Sequence, residues 1–268
     1  IKRKDFKLMD EHSKTLTIKF ELPQIVNQAL APLATTIGTT LSHGWEGLTL
    51  GIDLWYGKKK LDYQKNLELY AKQIQDSISE IPENELQEPK MNILGPTLDA
   101  SKFYFEEEQY RDMFSRLVAG SFDKRCNSAI HPFFVEAIKQ MKPLDAELMV
   151  YFGKKPNDVY PIVNHLIRYK NDSFSYLDRF VFITNTILSP NHYSASITNL
   201  VRLGFIEISF VQLVKGTDVY SIYESSPFLA LERQKLAENP KNIDRKIEIE
   251  RGSITLTPLG KDFVSICI

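Results

Sequence analysis

At 268 residues, with 43% apolar and 25% charged side chains, the chain has the composition of one large globular domain or two modest ones, which excludes a fibrous or wholly disordered protein. Its 33 Lys and Arg are balanced by 34 Asp and Glu, so the formal charge is −1 and no overall field draws it to nucleic acid or an anionic membrane. Such binding would need a local patch. The two cysteines, Cys126 and Cys267, fit no paired spacing and read as plain thiols of a reducing cytoplasm.

In residues 1–20, charges interrupt every apolar run, so no secretory h-region is expected. TLTIKFEL (15–22) alternates weakly, as a short strand or extended arm would. Pro23 suits the first turn of a helix, and from Leu22 to Trp45 there is no Lys, Arg, Asp or Glu. The segment that follows carries Trp45, Gly47, Gly51 and Trp55 and ends in Lys58, Lys59 and Lys60. These are candidate membrane or partner contacts: small residues permit close helix approach, tryptophans suit an interface and lysines meet phosphates. The competing reading is a buried, Gly-flexible helical pair. It carries more weight, because Gln24, Asn27, Gln28, Pro32 and the Thr and Ser residues of 35–42 leave no span of about 20 predominantly apolar residues.

Tyr63, Leu67, Tyr70, Ile74, Ile78 and Ile81 recur at steps of three and four, which predicts an amphipathic helix over 61–81 that Pro82 stops. PENELQEP (82–89) is a polar connector. A second helix follows Glu106, with Tyr110, Met113, Phe114, Leu117 and Val118 on one face and the acidic cluster Glu106 to Glu108 at its positive end. Pro132 starts a helix through Phe134 and Ile138, and Pro143 opens another through Leu148 and Phe152. His131 lies five residues after Cys126, but no further pair completes four zinc ligands, so it reads as a histidine at a helix start.

The stretch Ile81 to Met149 resembles the central region of the Abi-alpha (abortive infection alpha) family of bacterial proteins. The resemblance rests on the "IP" step with its acidic "EL" and Pro89, on "GPTLDASKFY", on "EEEQYRDMFSRLVAGSFD" and on "HPFFVEAIKQMKPLDAELM". It implies a cytoplasmic bacterial protein linked to phage defence, in a family without assigned catalytic residues. Pro82, Pro89, His131, Pro132 and Phe134 are the family-like positions, with structural roles implied.

Further on, Leu177, Phe180, Val181, Thr184 and Leu188 fall at helical spacing, which predicts a core helix over 174–188 in preference to a base-stacking platform, since Arg179 is the one basic residue in the stretch. YSASITNLVRLGFIEISF (193–210) predicts a helix ending near Leu203, a turn at Gly204 and a strand through Ile206 and Ile208. VYSIY (219–223) and ITLT (254–257) suit strands, residues 227–250 read as a polar helical or irregular insertion, and the chain closes with a helix after Pro258. This order is similar to a winged helix. A DNA-reading helix needs several basic or amide side chains, and here His192, Asn199 and Arg202 are the candidates. Nine basic and nine acidic residues from Asn191 to Ile268 make the module electrically neutral.

No Gly-x-Ser-x-Gly, phosphate loop, Rossmann glycine pattern or His-Glu-x-x-His helix occurs, so no catalytic residue, metal or cofactor is assigned. The expected fold is mainly α: a helical region over 1–155, then a small α/β winged-helix-like module over 156–268. The expected function is phage defence without enzymatic turnover, through contact with another protein, a second copy or a membrane surface. A winged-helix nucleic-acid regulator is the alternative, and an enzyme whose site the sequence hides is the third reading.

Overall fold

The computed structural model describes residues 60–268 apart from 105, 185–188, 190, 217 and 239–243. The arm at 15–22 and the segment 23–59, including Trp45, Gly47, Gly51, Trp55, Lys58 and Lys59, lie outside the described residues, as does Leu188.

Helix α1 (Lys60–Ser79) follows the predicted periodicity: Leu67, Tyr70, Ile74 and Ile78 are all buried. Pro82 leads into a 3-10 turn (Glu83–Glu85). Helix α2 (Met91–Ser101) carries Gly95 and Pro96 inside it, residues that normally punctuate helices. It buries Ile93, Leu94 and Leu98 against α3 (Glu108–Ser121), whose Phe114, Leu117 and Val118 are fully enclosed. Helices α4 (Phe133–Gln140) and α5 (Pro143–Gly153) start at the expected prolines. Asp145, in the first turn of α5, accepts a hydrogen bond from the Lys142 backbone N–H at 2.9 Å, an N-terminal cap.

After α3 the chain turns through Asp123, whose carboxylate caps a 3-10 turn (Lys124–Ser128). Its Oδ1 accepts from the Arg125 N–H at 2.8 Å and its Oδ2 from Arg125 Nη2 at 2.6 Å. The Arg125 side-chain bonds hold this carboxyl below the ordinary aspartate range against the opposing effect of burial. The same turn is bridged to Leu86 of the connector. Asp123→Ala is therefore expected to cost about 2 kcal/mol at neutral pH, the upper end for losing such a cap. Because the folded carboxyl is depressed, its contribution is complete above the unfolded value of about 3.9 and is lost as pH falls below it. Urea denaturation of wild type and variant should show a gap at pH 7 that narrows at pH 3; a gap of equal size at both would refute the charge-assisted cap.

The C-terminal part is a four-stranded antiparallel sheet of β1 (Tyr160–Arg168), β2 (Phe174–Val181), β3 (Ile206–Ser209) and β4 (Lys246–Leu256), in the order β2-β1-β4-β3. Strand β1 (Tyr160–Arg168) turns through Asp172, with φ 62°, into β2 (Phe174–Val181). This corrects, for residues 174–181, the helix expected over 174–188. Phe, Tyr and Val favour a pleated surface, and the apolar steps of three and four there are a coincidence of composition. As an edge strand, β2 leaves Phe174 and Tyr176 exposed, with the guanidinium of Arg168 5.5 Å from the Phe174 ring and that of Arg179 4.6 Å from the Tyr176 ring.

Helix α6 (Ser194–Arg202), the turn at Gly204 (φ 75°) and β3 (Ile206–Ser209) match the reading of 193–210. The strand expected at 219–223 is instead the short helix α7 (Ser221–Glu224), because Tyr220 and Tyr223, three apart, are both drawn into a cluster with Val163 and Val181. Helix α8 (Pro227–Glu238) follows. Strand β4 (Lys246–Leu256) begins earlier than the ITLT stretch and pairs with β1 from Lys246 to Ile254 and with β3 from Ser253 to Leu256. Helix α9 (Pro258–Cys267) closes the chain, capped by Thr257, whose Oγ1 accepts the Gly260 N–H at 3.0 Å.

The described protein is thus mixed α/β, and β4 is an inner strand of a larger sheet. One buried cluster runs from α1 to α9 without a break at residue 155, through Phe134, Phe152, Phe182, Phe205 and Phe263. Burial raises both thiols, Cys267 well above the usual value, so neither is a ready thiolate.

Candidate functional site

The pairing of β1 with β2 is irregular on both sides of His165: Val163 faces Val181, His165 faces Asp178 and Leu166 faces Tyr176. Such bulges re-aim side chains. Here Phe180 takes a left-handed conformation (φ 55°), uncommon for a bulky residue, and its N–H donates to Asn164 Oδ1 at 2.9 Å. Asn164 Nδ2 in turn donates to Glu250 Oε2 on β4 at 2.7 Å.

The bulge sets Asp178 beside His165, with Nδ1 3.0 Å from Oδ2. The other carboxylate oxygen, Oδ1, accepts a 2.6 Å bond from Asn191 Nδ2, just before α6. His165 is only 2% exposed. The bond to His165, reinforced by that from Asn191, holds the Asp178 carboxyl below its ordinary range although burial pushes it the other way. An ionised Asp178 can only accept at Oδ2, so the proton of that bond sits on His165 Nδ1. The other ring nitrogen, Nε2, is buried and has no hydrogen-bond partner among the described residues.

The pair lies at a cavity of about 240 Å³. Leu177 and Asn191 line it on the sheet side, and Phe228, Leu229, Leu231 and Glu232 of α8 on the other. Chemically, the arrangement is a buried imidazole oriented by a carboxylate that Asn191 holds in turn. Among the described residues that line it there is no Ser, Thr or Cys.

The residues singled out from sequence lie elsewhere. His192 packs edge-on to Tyr193, one position from the Asn191 that holds Asp178. Asn199 Nδ2 donates to the Gln140 carbonyl at 3.0 Å and to Asp145 Oδ2 at 2.6 Å. Arg202 donates to Asn199 Oδ1 and, at 2.9 Å, to Gln140 Oε1. These polar groups of α6 are engaged in tying it to the α4–α5 junction. Lys60 is the first residue of α1. His131 Nδ1 accepts the Phe133 N–H at 3.0 Å, the role expected of a helix-start histidine.

The His165 pair escaped the sequence reading. Its signal was present as two polar residues, Asn164 and His165, in the middle of the apolar run PIVNHLI. Among the described residues no group of three or more His, Cys, Asp or Glu is placed to hold a metal ion, and no helix is long and apolar enough to cross a membrane.

Fold and site together define a mixed α/β protein with a small cavity built on a histidine–aspartate pair. The model of the Abortive infection alpha family matches residues 62–267, and the chain belongs to that family. Comparison with curated proteins and with solved structures gives no match.

Proposed function

We propose that this protein acts in abortive infection of bacteria by phage, in the cytoplasm and without turnover of a substrate, through contact with another protein. The family match over 62–267 carries the reading. The position of exposed apolar side chains supports the mode of action: of the large hydrophobics exposed among the described residues, Val211, Leu213, Ile222, Phe228 and Leu231 all fall in the β3–β4 connection. Val211 is 92% exposed, and a contiguous apolar patch in this connection would serve as a contact site.

The alternative is a nucleic-acid regulator built on α6, β3, β4 and α9 as a winged helix. The neutral charge of this part and the engagement of Asn199 and Arg202 within the chain weigh against it. Bacteria expressing the full chain should plate phage less efficiently, and the double variant Val211→Asp with Leu213→Asp should lose that protection while remaining folded. Early depolarisation during protection would instead favour membrane contact through residues 23–60, and DNA binding that weakens steeply with salt would favour the alternative. Failure to protect against a broad phage panel would count against the defence reading.

A further inference from the structure

We propose that the face of the sheet carrying Phe174 and Tyr176 of β2, Arg168 of β1 and Lys246 of β4 is a platform for single-stranded nucleic acid, with bases on the two rings and phosphates on the basic side chains. The site lies apart from the β3–β4 connection, and it goes beyond the phage-defence reading without depending on it.

The first argument is the pair of solvated rings. Phe174 and Tyr176, two residues apart on an edge strand and so on one face, are 47% and 43% exposed, with ring centroids 5.5 Å apart. Edge strands are normally blunted by charge or proline, so two neighbouring aromatic rings there are a departure that a stacking ligand explains. Register brings basic groups to the same face: Arg168 is the direct partner of Phe174, and Lys246 that of Arg168. The Arg168 guanidinium, 5.5 Å from the Phe174 ring, is held by bonds to Glu248 Oε2 at 2.9 Å and to the Asp172 carbonyl at 3.0 Å. That of Arg179 lies 4.6 Å from the Tyr176 ring. The stretch 174–188 holds one basic residue of its own, and the sheet supplies the others from two further strands.

The second argument is charge. Along the β1–β2 hairpin and the start of β4, Arg168, Lys170, Arg179, Arg245 and Lys246 stand against Asp172, Asp244 and Glu248, while Asp178 is turned to His165 on the other face. Glu248 pairs with Arg168 and Asp244 with Lys170, and further along β4 Glu250 is bonded by Asn164. Arg179, Arg245 and Lys246 make no ion pair among the described residues, so this end of the sheet keeps a local basic excess in a chain of net charge −1. Rings beside unpaired cations complement a chain that offers a flat base and a phosphate in every unit. A duplex shields its base faces, and an acidic peptide brings the charge without the flat ring.

Fluorescence anisotropy of labelled oligothymidylate and oligouridylate of about 12 nucleotides, titrated with the full chain, tests the proposal. Binding with a Kd of about 1–100 µM at low salt is expected, weakening as salt rises. Phe174→Ala and Tyr176→Ala should each weaken it about tenfold, and Arg179→Ala should reduce the salt slope by about one. No anisotropy change at about 100 µM protein in low salt would overturn the proposal, as would a duplex of the same length bound equally tightly, or polyglutamate competing as well as the unlabelled strand. Loss of binding on Arg202→Ala with the ring variants silent would move the contact to α6 and overturn it too, and so would a wild-type dimer that Phe174→Ala dissociates, which gives the rings to a second copy. Should a ring variant fail to fold by circular dichroism, Arg179→Ala and the duplex and polyglutamate comparisons on the wild-type chain still decide.

Discussion

Gly260→Ala is expected to destabilise the protein by about 3 kcal/mol or more, the severe end of overpacking. Gly260 sits in the first turn of α9, and a Cβ there would lie 2.0 Å from the Phe205 carbonyl oxygen and 2.8 Å from its carbonyl carbon. Both obstacles are backbone, so no side-chain rotation relieves them. The same Phe205 carbonyl accepts the Thr257 N–H at 3.0 Å, so the start of α9 and the start of β3 are joined where the methyl would intrude. Displacing α9 would also disturb Phe263, which packs against Phe205 at 4.4 Å between ring centroids. Gly95→Ala is the matched control. It lies inside α2 with nothing within 4 Å of the added carbon, so replacement should be neutral or stabilise by up to about 1 kcal/mol. Urea midpoints of the two variants should move in opposite directions or, at the least, only that of Gly260→Ala should fall. An unchanged midpoint for Gly260→Ala would mean that α9 does not approach β3 this closely.

Phe134→Ala is expected to cost about 3–5 kcal/mol, the range for emptying a large aromatic site in a core. Phe134 on α4 is 0% exposed, stands edge-on to Phe263 at 5.3 Å and meets Phe205 at 6.4 Å. Offset and edge-to-face pairs add to plain burial, so the loss should lie well above that of an isolated aliphatic truncation. The position tests architecture as well as energy. Phe134 belongs to the helical region, whereas Phe205 and Phe263 belong to the sheet and its closing helix, and all three share one buried cluster. Far-ultraviolet circular dichroism and tyrosine fluorescence should therefore report a single, coincident unfolding transition at a lower denaturant concentration. Two separated transitions in the variant would show that the regions on either side of residue 155 stand independently.

The helices were largely legible because a buried stripe writes a local period into the chain. Tyr70, Ile74 and Ile78 declare α1, Phe114, Leu117 and Val118 declare α3, and Pro132, Pro143, Gly204 and Pro258 mark where elements begin or end. Helix α2 was not, because Gly95 and Pro96 imitate a turn while burial of Ile93, Leu94 and Leu98 holds the helix together. The segment 174–188 was misread for the reverse reason. Its apolar steps fit a helix, yet hydrogen bonding to β1 and the propensity of Phe, Tyr and Val draw residues 174–181 into a strand. Residues 219–223 show the same override, with Tyr220 and Tyr223 placed by the cluster around Val163.

What the sequence determined by itself is the succession of amphipathic helices, the turn and strand after α6, the closing helix and the resemblance to the abortive infection family, each carried by residues close together in the chain. What only the tertiary structure decided is the four-stranded sheet and the site at its bulge. His165 and Asp178 are 13 residues apart, Asn191 is a further 13 on, and α8 arrives from beyond β3. Local periodicity reports which face of an element is buried. Which side chain faces which across a bulged pair of strands depends on register, and register is settled by the packing of the whole sheet.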